Sequence, residues 1–71
     1  MTLLDLLMKM DSDTMVSVQK TETAESMFDI KRAAAFELGE VKGLNVDYFY
    51  PERYSAFFCI GITVIVKEVG A

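Results

Sequence analysis

Hydrophobic and polar positions change their spacing several times along the chain, and each change marks an element. From Leu3 to Met10 the apolar residues are Leu3, Leu4, Leu6, Leu7, Met8 and Met10. On a helix they surround the axis and leave only Asp5 and Lys9 as a polar edge. Thr2 is a suitable N-cap, and Asp5 falls in the first turn, where the helix dipole favours an acid. A helix this apolar is expected to be buried on more than one side. In a short chain, one of those sides is expected to meet a second protomer. Asp11-Ser12-Asp13 breaks the pattern. Residues 14–20 then alternate, Val16 and Val18 against Met15, Ser17 and Gln19, which predicts a half-buried strand. Thr21-Glu22-Thr23 reads as a turn.

Residues 24–38 support two readings. Ala24, Met27, Phe28, Lys31, Ala34, Ala35 and Leu38 lie at helical spacing, with Thr23 as a cap and Gly39 at the C′ position. The other reading, which supplies a hairpin partner for residues 14–20, makes 26–30 a short strand and restricts the helix to 32–38. Residues 40–44 form a turn or an extra helical turn that stops at Gly43. Residues 45–50 alternate again, and Pro51 is expected to end that strand because it lacks a ladder N–H. Residues 51–55 then connect to the most apolar stretch, 57–67.

In that stretch Phe58, Ile60, Ile62, Val64 and Val66 point one way, and Phe57, Cys59, Gly61, Thr63 and Ile65 the other. Its β-branched content predicts a central strand covered on both faces. Gly61 in its middle suggests a bulge or a close backbone approach. The expected fold is α+β, one domain over residues 1–71. It has an N-terminal helix, a short antiparallel sheet of three or four strands and a second short helix.

Composition changes this picture in one respect. The chain has 71 residues, 52% of them hydrophobic, and a mean hydropathy of +0.27. That is more apolar surface than a domain of this size hides alone, which predicts a homo-oligomer. Leu3, Leu7 and Met10 of the helix, with Phe57 and Ile65 of the last strand, are the expected interface residues. With a single cysteine no intrachain disulfide forms, and with no histidine the usual zinc-ligand sets are missing. Residues 1–10 lack the basic start and cleavage site of a signal peptide, so a cytoplasmic location is expected. Eleven acids against seven bases give a net charge of −4, which disfavours a general grip on DNA.

Candidate chemistry is sparse. Without histidine, acid–base work falls to carboxylates, Lys, Tyr or Cys59, and Cys59 sits in the most apolar strand, where a thiol is inert. No phosphate-cradling glycine loop or other catalytic motif occurs, and no enzyme activity, metal or cofactor is expected. Binding has a better candidate. Tyr48, Phe49, Tyr50 and Tyr54 accompany Arg53 within seven residues, and tyrosine and arginine are the commonest anchors of binding surfaces. Tyr48, Tyr50 and Tyr54 could stack on a base while Arg53, helped by Lys31 and Arg32, holds a phosphate. The plainer alternative makes the tyrosines sheet residues and pairs Arg53 with an acid.

Two stretches, Thr2-Leu3-Leu4-Asp5-Leu6-Leu7 followed by Asp13-Thr14-Met15-Val16-Ser17-Val18, and Gly61-Ile62-Thr63-Val64-Ile65-Val66-Lys67, carry a resemblance. Together they resemble short uncharacterised accessory proteins common in phages and prophages of Gram-positive bacteria. That resemblance implies a phage-encoded accessory protein, and such proteins often act stoichiometrically against host immunity. The expected function is a non-enzymatic anti-defence protein that sequesters a nucleotide-type immune signal in a pocket at an oligomer seam. The alternatives are a stoichiometric, anti-CRISPR-like block of a host defence effector, and a structural self-assembly protein.

Overall fold

A computed structural model of the chain describes residues 1–57 and 59–67, without the side chain of Phe57. Helix α1 (Leu3–Lys9) starts where expected: the Thr2 hydroxyl accepts the Asp5 amide at 3.1 Å. Strand β1 (Met15–Gln19) follows, then a two-residue strand β2 (Lys31–Arg32), a 3-10 turn (Ala33–Ala35) and helix α2 (Leu38–Val41). Strand β3 (Val46–Tyr54) and a second 3-10 turn (Ser55–Phe57) lead into β4 (Cys59–Val66). The sheet order is β2-β1-β4-β3. β4 is therefore internal, flanked by β1 and β3, and the fold is α+β.

The sheet is mixed rather than antiparallel, because β4 runs parallel to β1, with Val16 beside Ile62 and Gln19 beside Ile65. A parallel neighbour needs a long crossover, and residues 20–58 supply it. The first 3-10 turn and α2 of this crossover lie on the same face of the sheet as α1. Leu3, Leu6 and Leu7 pack there with Val16, Val18, Val41, Val46, Val64, Val66 and Ala33. Leu3, Leu7 and Ile65, expected at an interface between protomers, are thus buried within the single chain. The expectation placed them outside because periodicity cannot say how much of a helix its own sheet will cover. Met10 is half-buried, Met8 is 77% exposed, and the Phe57 side chain lies outside the described residues.

Neither reading of residues 24–38 holds. Ser26 bridges Gln19, but ladder pairing resumes only at Lys31 and Arg32, opposite Val16 and Met15. Five residues thus advance on one side against three on the other, an irregular bulge. The alanine triplet makes a 3-10 turn, not a helix. Ala33 and Ala34 donate their amides to Thr14 and Ser12 carbonyls at 2.8 and 3.2 Å. Phe36 then leaves the turn in an extended conformation and meets Phe28 edge-on, with ring centroids 6.1 Å apart. Burial of Phe36 overrides the helix propensity of the alanines. Gly39 lies inside α2 rather than after a helix, and Gly43, at φ 83°, is the glycine that leaves the turn.

Pro51 does not end its strand. β3 is an edge strand, so a missing N–H can face solvent, and the pairing with β4 runs unbroken from Tyr48 through Pro51 to Tyr54. The bulge suggested for Gly61 falls instead between Val46 and Tyr48. Gly61 is the close approach: a β-carbon there would stand 2.4 Å from Tyr54 Cε2 and 2.5 Å from the Met15 carbonyl. β4 is covered on both faces from Thr63 to Val66, but Cys59 and Ile60 run past the end of β1, and Ile60 is 68% exposed. Phe58, expected to face the core, lies outside the described residues. Among the described residues no helix is long and apolar enough to cross a membrane.

Candidate functional site

Strand β3 alternates, so its side chains divide between the two faces of the sheet. Tyr48, Tyr50, Glu52 and Tyr54 lie opposite Ile65, Thr63, Gly61 and Cys59, on the face away from the helices. Phe49, Pro51 and Arg53 lie opposite Val64, Ile62 and Ile60, on the helical face. The turn after β1 curls onto the tyrosine face, held by a 2.6 Å contact between the Ser17 and Ser26 hydroxyls and by the Gln19 amide donating to the Ala24 carbonyl. This is how Ser17, Thr63 and Ile65 become buried on a face that carries no helix.

Tyr54 lies across Gly61 and is 7% exposed. Its hydroxyl donates to the Ile62 carbonyl at 3.0 Å and contacts Thr63 Oγ1 at 2.7 Å, while the Thr63 hydroxyl donates to Glu52 at 2.7 Å. Burial pushes its phenol above the ordinary value. Tyr54, expected as a ligand contact, is a structural strut whose hydroxyl is already engaged.

Tyr48 and Tyr50 are different. Their rings stack with centroids 6.4 Å apart at 26°, and Tyr48 is 41% exposed. Partial loss of solvent raises the Tyr48 phenol, helped by the nearby Glu22 carboxylate. Tyr50 is raised by loss of solvent and then by Glu52 and Glu22. The stack therefore sits in a negative field. Nothing in the spacing of the turn residues reveals that Glu22 comes near Tyr48, because its place depends on how residues 20–28 fold over the sheet.

The expected cations are elsewhere. Lys31 and Arg32 belong to β2, at the opposite edge of the sheet, three strand spacings or roughly 14 Å from β3. Lys31 Nζ is 2.9 Å from Glu40 Oε2 and 4.8 Å above the Phe36 ring, and Arg32 stands 4.0 Å from Asp13. Arg53 faces the helical side, and with Ser55, Cys59 and Ile60 at the end of the sheet it lines an open hollow of about 430 Å³. The six expected ligand residues thus fall into three places, and only Tyr48, exposed, and Tyr50, half-buried, stack together. Among the described residues no group of three His, Cys, Asp or Glu side chains could hold a metal ion.

The Lys31–Glu40 contact ties the β2 edge to α2 and makes a direct pH prediction. The hydrogen bond from Lys31 holds the Glu40 carboxyl below its ordinary range. A carboxyl depressed by folding adds stability above its unfolded pKa and loses it as pH falls through the lower folded value. In a carboxyl-carbon NMR titration, Glu40 should titrate below the exposed glutamates, and Lys31→Met should raise it towards them. Equal midpoints in both proteins would show that the contact does not persist in solution. No protein-family model, curated protein or solved structure matches the chain.

Proposed function

We propose that the chain is a non-enzymatic, phage-type anti-defence protein, acting in the cytoplasm of the infected host cell, and that it works by blocking a host defence protein. The observation that carries the blocking mode is the stack of exposed Tyr48 on half-buried Tyr50, flanked by Glu22 and Glu52 and separated from Lys31, Arg32 and Arg53. A phosphate brought to this stack meets the Glu22 and Glu52 carboxylates, with Lys31, Arg32 and Arg53 placed elsewhere, which is unfavourable. A protein surface carrying Lys or Arg matches it, through cation–π contact with the rings and ion pairs at the rim. The phage setting is supported by the resemblance of residues 2–18 and 61–67. The absence of a histidine, with no general base among the described residues lining the Cys59 hollow, supports a binding role rather than catalysis.

One observation favours the second reading, sequestration of a nucleotide-type signal. The hollow beside Arg53 lies within the usual range of roughly 300–1,000 Å³ for small-molecule sites, and its lining includes Arg53 and Ser55, residue types that suit an anion. A phage infection assay in cells carrying a defence system separates the two. Blocking predicts that Tyr48→Ser with Tyr50→Ser abolishes protection of the phage, whereas Arg53→Ala keeps it. Loss of protection with Arg53→Ala alone, together with a nucleotide retained by the wild-type protein in native mass spectrometry, would replace blocking with sequestration. Protection unchanged in both variants would remove this end of the sheet from the function.

A further inference from the structure

The two edges of the sheet are treated differently by the sequence. β2 is two residues long, a short edge of the kind that discourages pairing. β3 is nine residues long, ends the sheet on the other side, and exposes Asp47, Tyr48, Phe49, Pro51, Glu52 and Arg53. Its charges are few and ordered: Asp47 near the start, Glu52 and Arg53 near the end. Among the described residues Arg53 makes no ion pair.

We propose that β3 pairs antiparallel with β3 of a second copy of this chain, about a two-fold axis through Tyr50. The register follows from the side chains. A two-fold axis perpendicular to the joined sheet keeps each face continuous, so a residue must meet one on its own face. With the axis at Tyr50, Tyr48 meets Glu52 of the second copy, Phe49 meets Pro51, Arg53 comes level with Asp47, the extra residue at the bulge between Val46 and Tyr48, and Tyr50 meets Tyr50. Each of the first three pairs occurs twice. Every charge then faces an opposite charge or a hydroxyl, and the aromatic residues cover one another. Neighbouring registers fail. Moving the axis to Phe49 sets Arg53 against Asn45, and moving it to Pro51 sets Arg53 against Phe49 and brings together two prolines, neither with an N–H to donate.

Pro51 fits this arrangement. The register with β4 continues across it, so its nitrogen lies on the free edge, where it removes one donor per copy. That gap discourages indefinite edge-to-edge stacking, while the Phe49 N–H still has the Pro51 carbonyl of the second copy as an acceptor. The pairing also covers surface that makes the chain unusually apolar: Phe49 is 49% and Tyr48 41% exposed in the protomer. The helix side chains Leu3 and Leu7 are not needed, since they already lie in the protomer core. The joined sheet has eight strands and places both Tyr48–Tyr50 stacks on one face.

Charge reversal tests the register. Light scattering after gel filtration at micromolar concentration should give a particle of twice the 8.0 kDa chain. Arg53→Asp and Asp47→Arg should each weaken dimerisation by at least about tenfold, because like charges then oppose one another twice. Mixed together, the two variants should recover a dimer containing one of each, since every reversed charge again meets its opposite. Both positions are exposed, so circular dichroism should show both variants folded. A monomeric wild type overturns the proposal. So does a dimer indifferent to both reversals, or failure of the mixture to recover while each variant remains folded. If protection of phage survives in a monomeric Asp47→Arg variant, dimerisation and the blocking role are separable, because that substitution leaves Tyr48 and Tyr50 in place.

Discussion

Gly61→Ala is expected to destabilise the protein by about 3 kcal/mol, the upper end of what an added methyl costs in a packed site. The reason lies in what surrounds Gly61. Its missing β-carbon leaves room for the Tyr54 ring on one side and the Met15 carbonyl on the other, both closer than 3 Å to where that carbon would stand. Tyr54 is a side chain and can swing aside, at the cost of its hydrogen bonds to Ile62 and Thr63. The Met15 carbonyl is backbone at the start of β1 and moves only if the β1–β4 pairing shifts. For a domain with total stability on the order of 5 kcal/mol, that leaves a substantial unfolded fraction. Urea unfolding followed by circular dichroism would show it as a fall in midpoint at constant slope. Adding Tyr54→Ala should not restore the midpoint, because the carbonyl contact remains. Full recovery would mean that the ring alone sets the constraint.

Leu3→Ala is the second large effect. Leu3 is fully buried at the first turn of α1, and its amide donates to the Leu44 carbonyl at 2.9 Å. Truncation leaves a cavity between the helix and the sheet worth about 3 kcal/mol. In a chain this short that corresponds to a fall in melting temperature of about 12–24 °C. Met8→Ala, on the same helix but 77% exposed, is the control and should move the melting temperature little. A similar loss from both substitutions would mean that α1 is covered on its outer side in solution, and would restore it as an interface.

The elements that could be read from the sequence are those whose pattern is local. Thr2 and Asp5 mark the start of α1 by chemistry within one turn, and the alternation of Val16 and Val18 gives β1 directly. The central place of β4 follows from its apolar character on both faces. Pairing direction was not legible, because a strand buried on both faces has the same composition whether its neighbour runs parallel or antiparallel. The alanine triplet misleads for a related reason: its propensity is local, but the burial of Phe36 beside Phe28 is not. Pro51 could be placed only once β3 was known to be an edge. Within the candidate site, Tyr48 and Tyr50 follow from period two. The separation of Arg53 onto the other face follows from the same period, since it lies an odd number of residues from both. The distance of Lys31 and Arg32 from that site depends on strand order, which no local signal carries.

The parallel pairing of β1 with β4 also governs how the chain acquires its structure in time. Residue 16 lies beside residue 62, so the centre of the sheet joins segments far apart in the chain. Closing so long a loop precedes any reward from the contact, which places folding among the slower small domains, in milliseconds to seconds rather than microseconds. During synthesis β1 stays without its main neighbour until β4 has been made. The protein therefore has no useful half-built form, and its activity should switch on in a single late step.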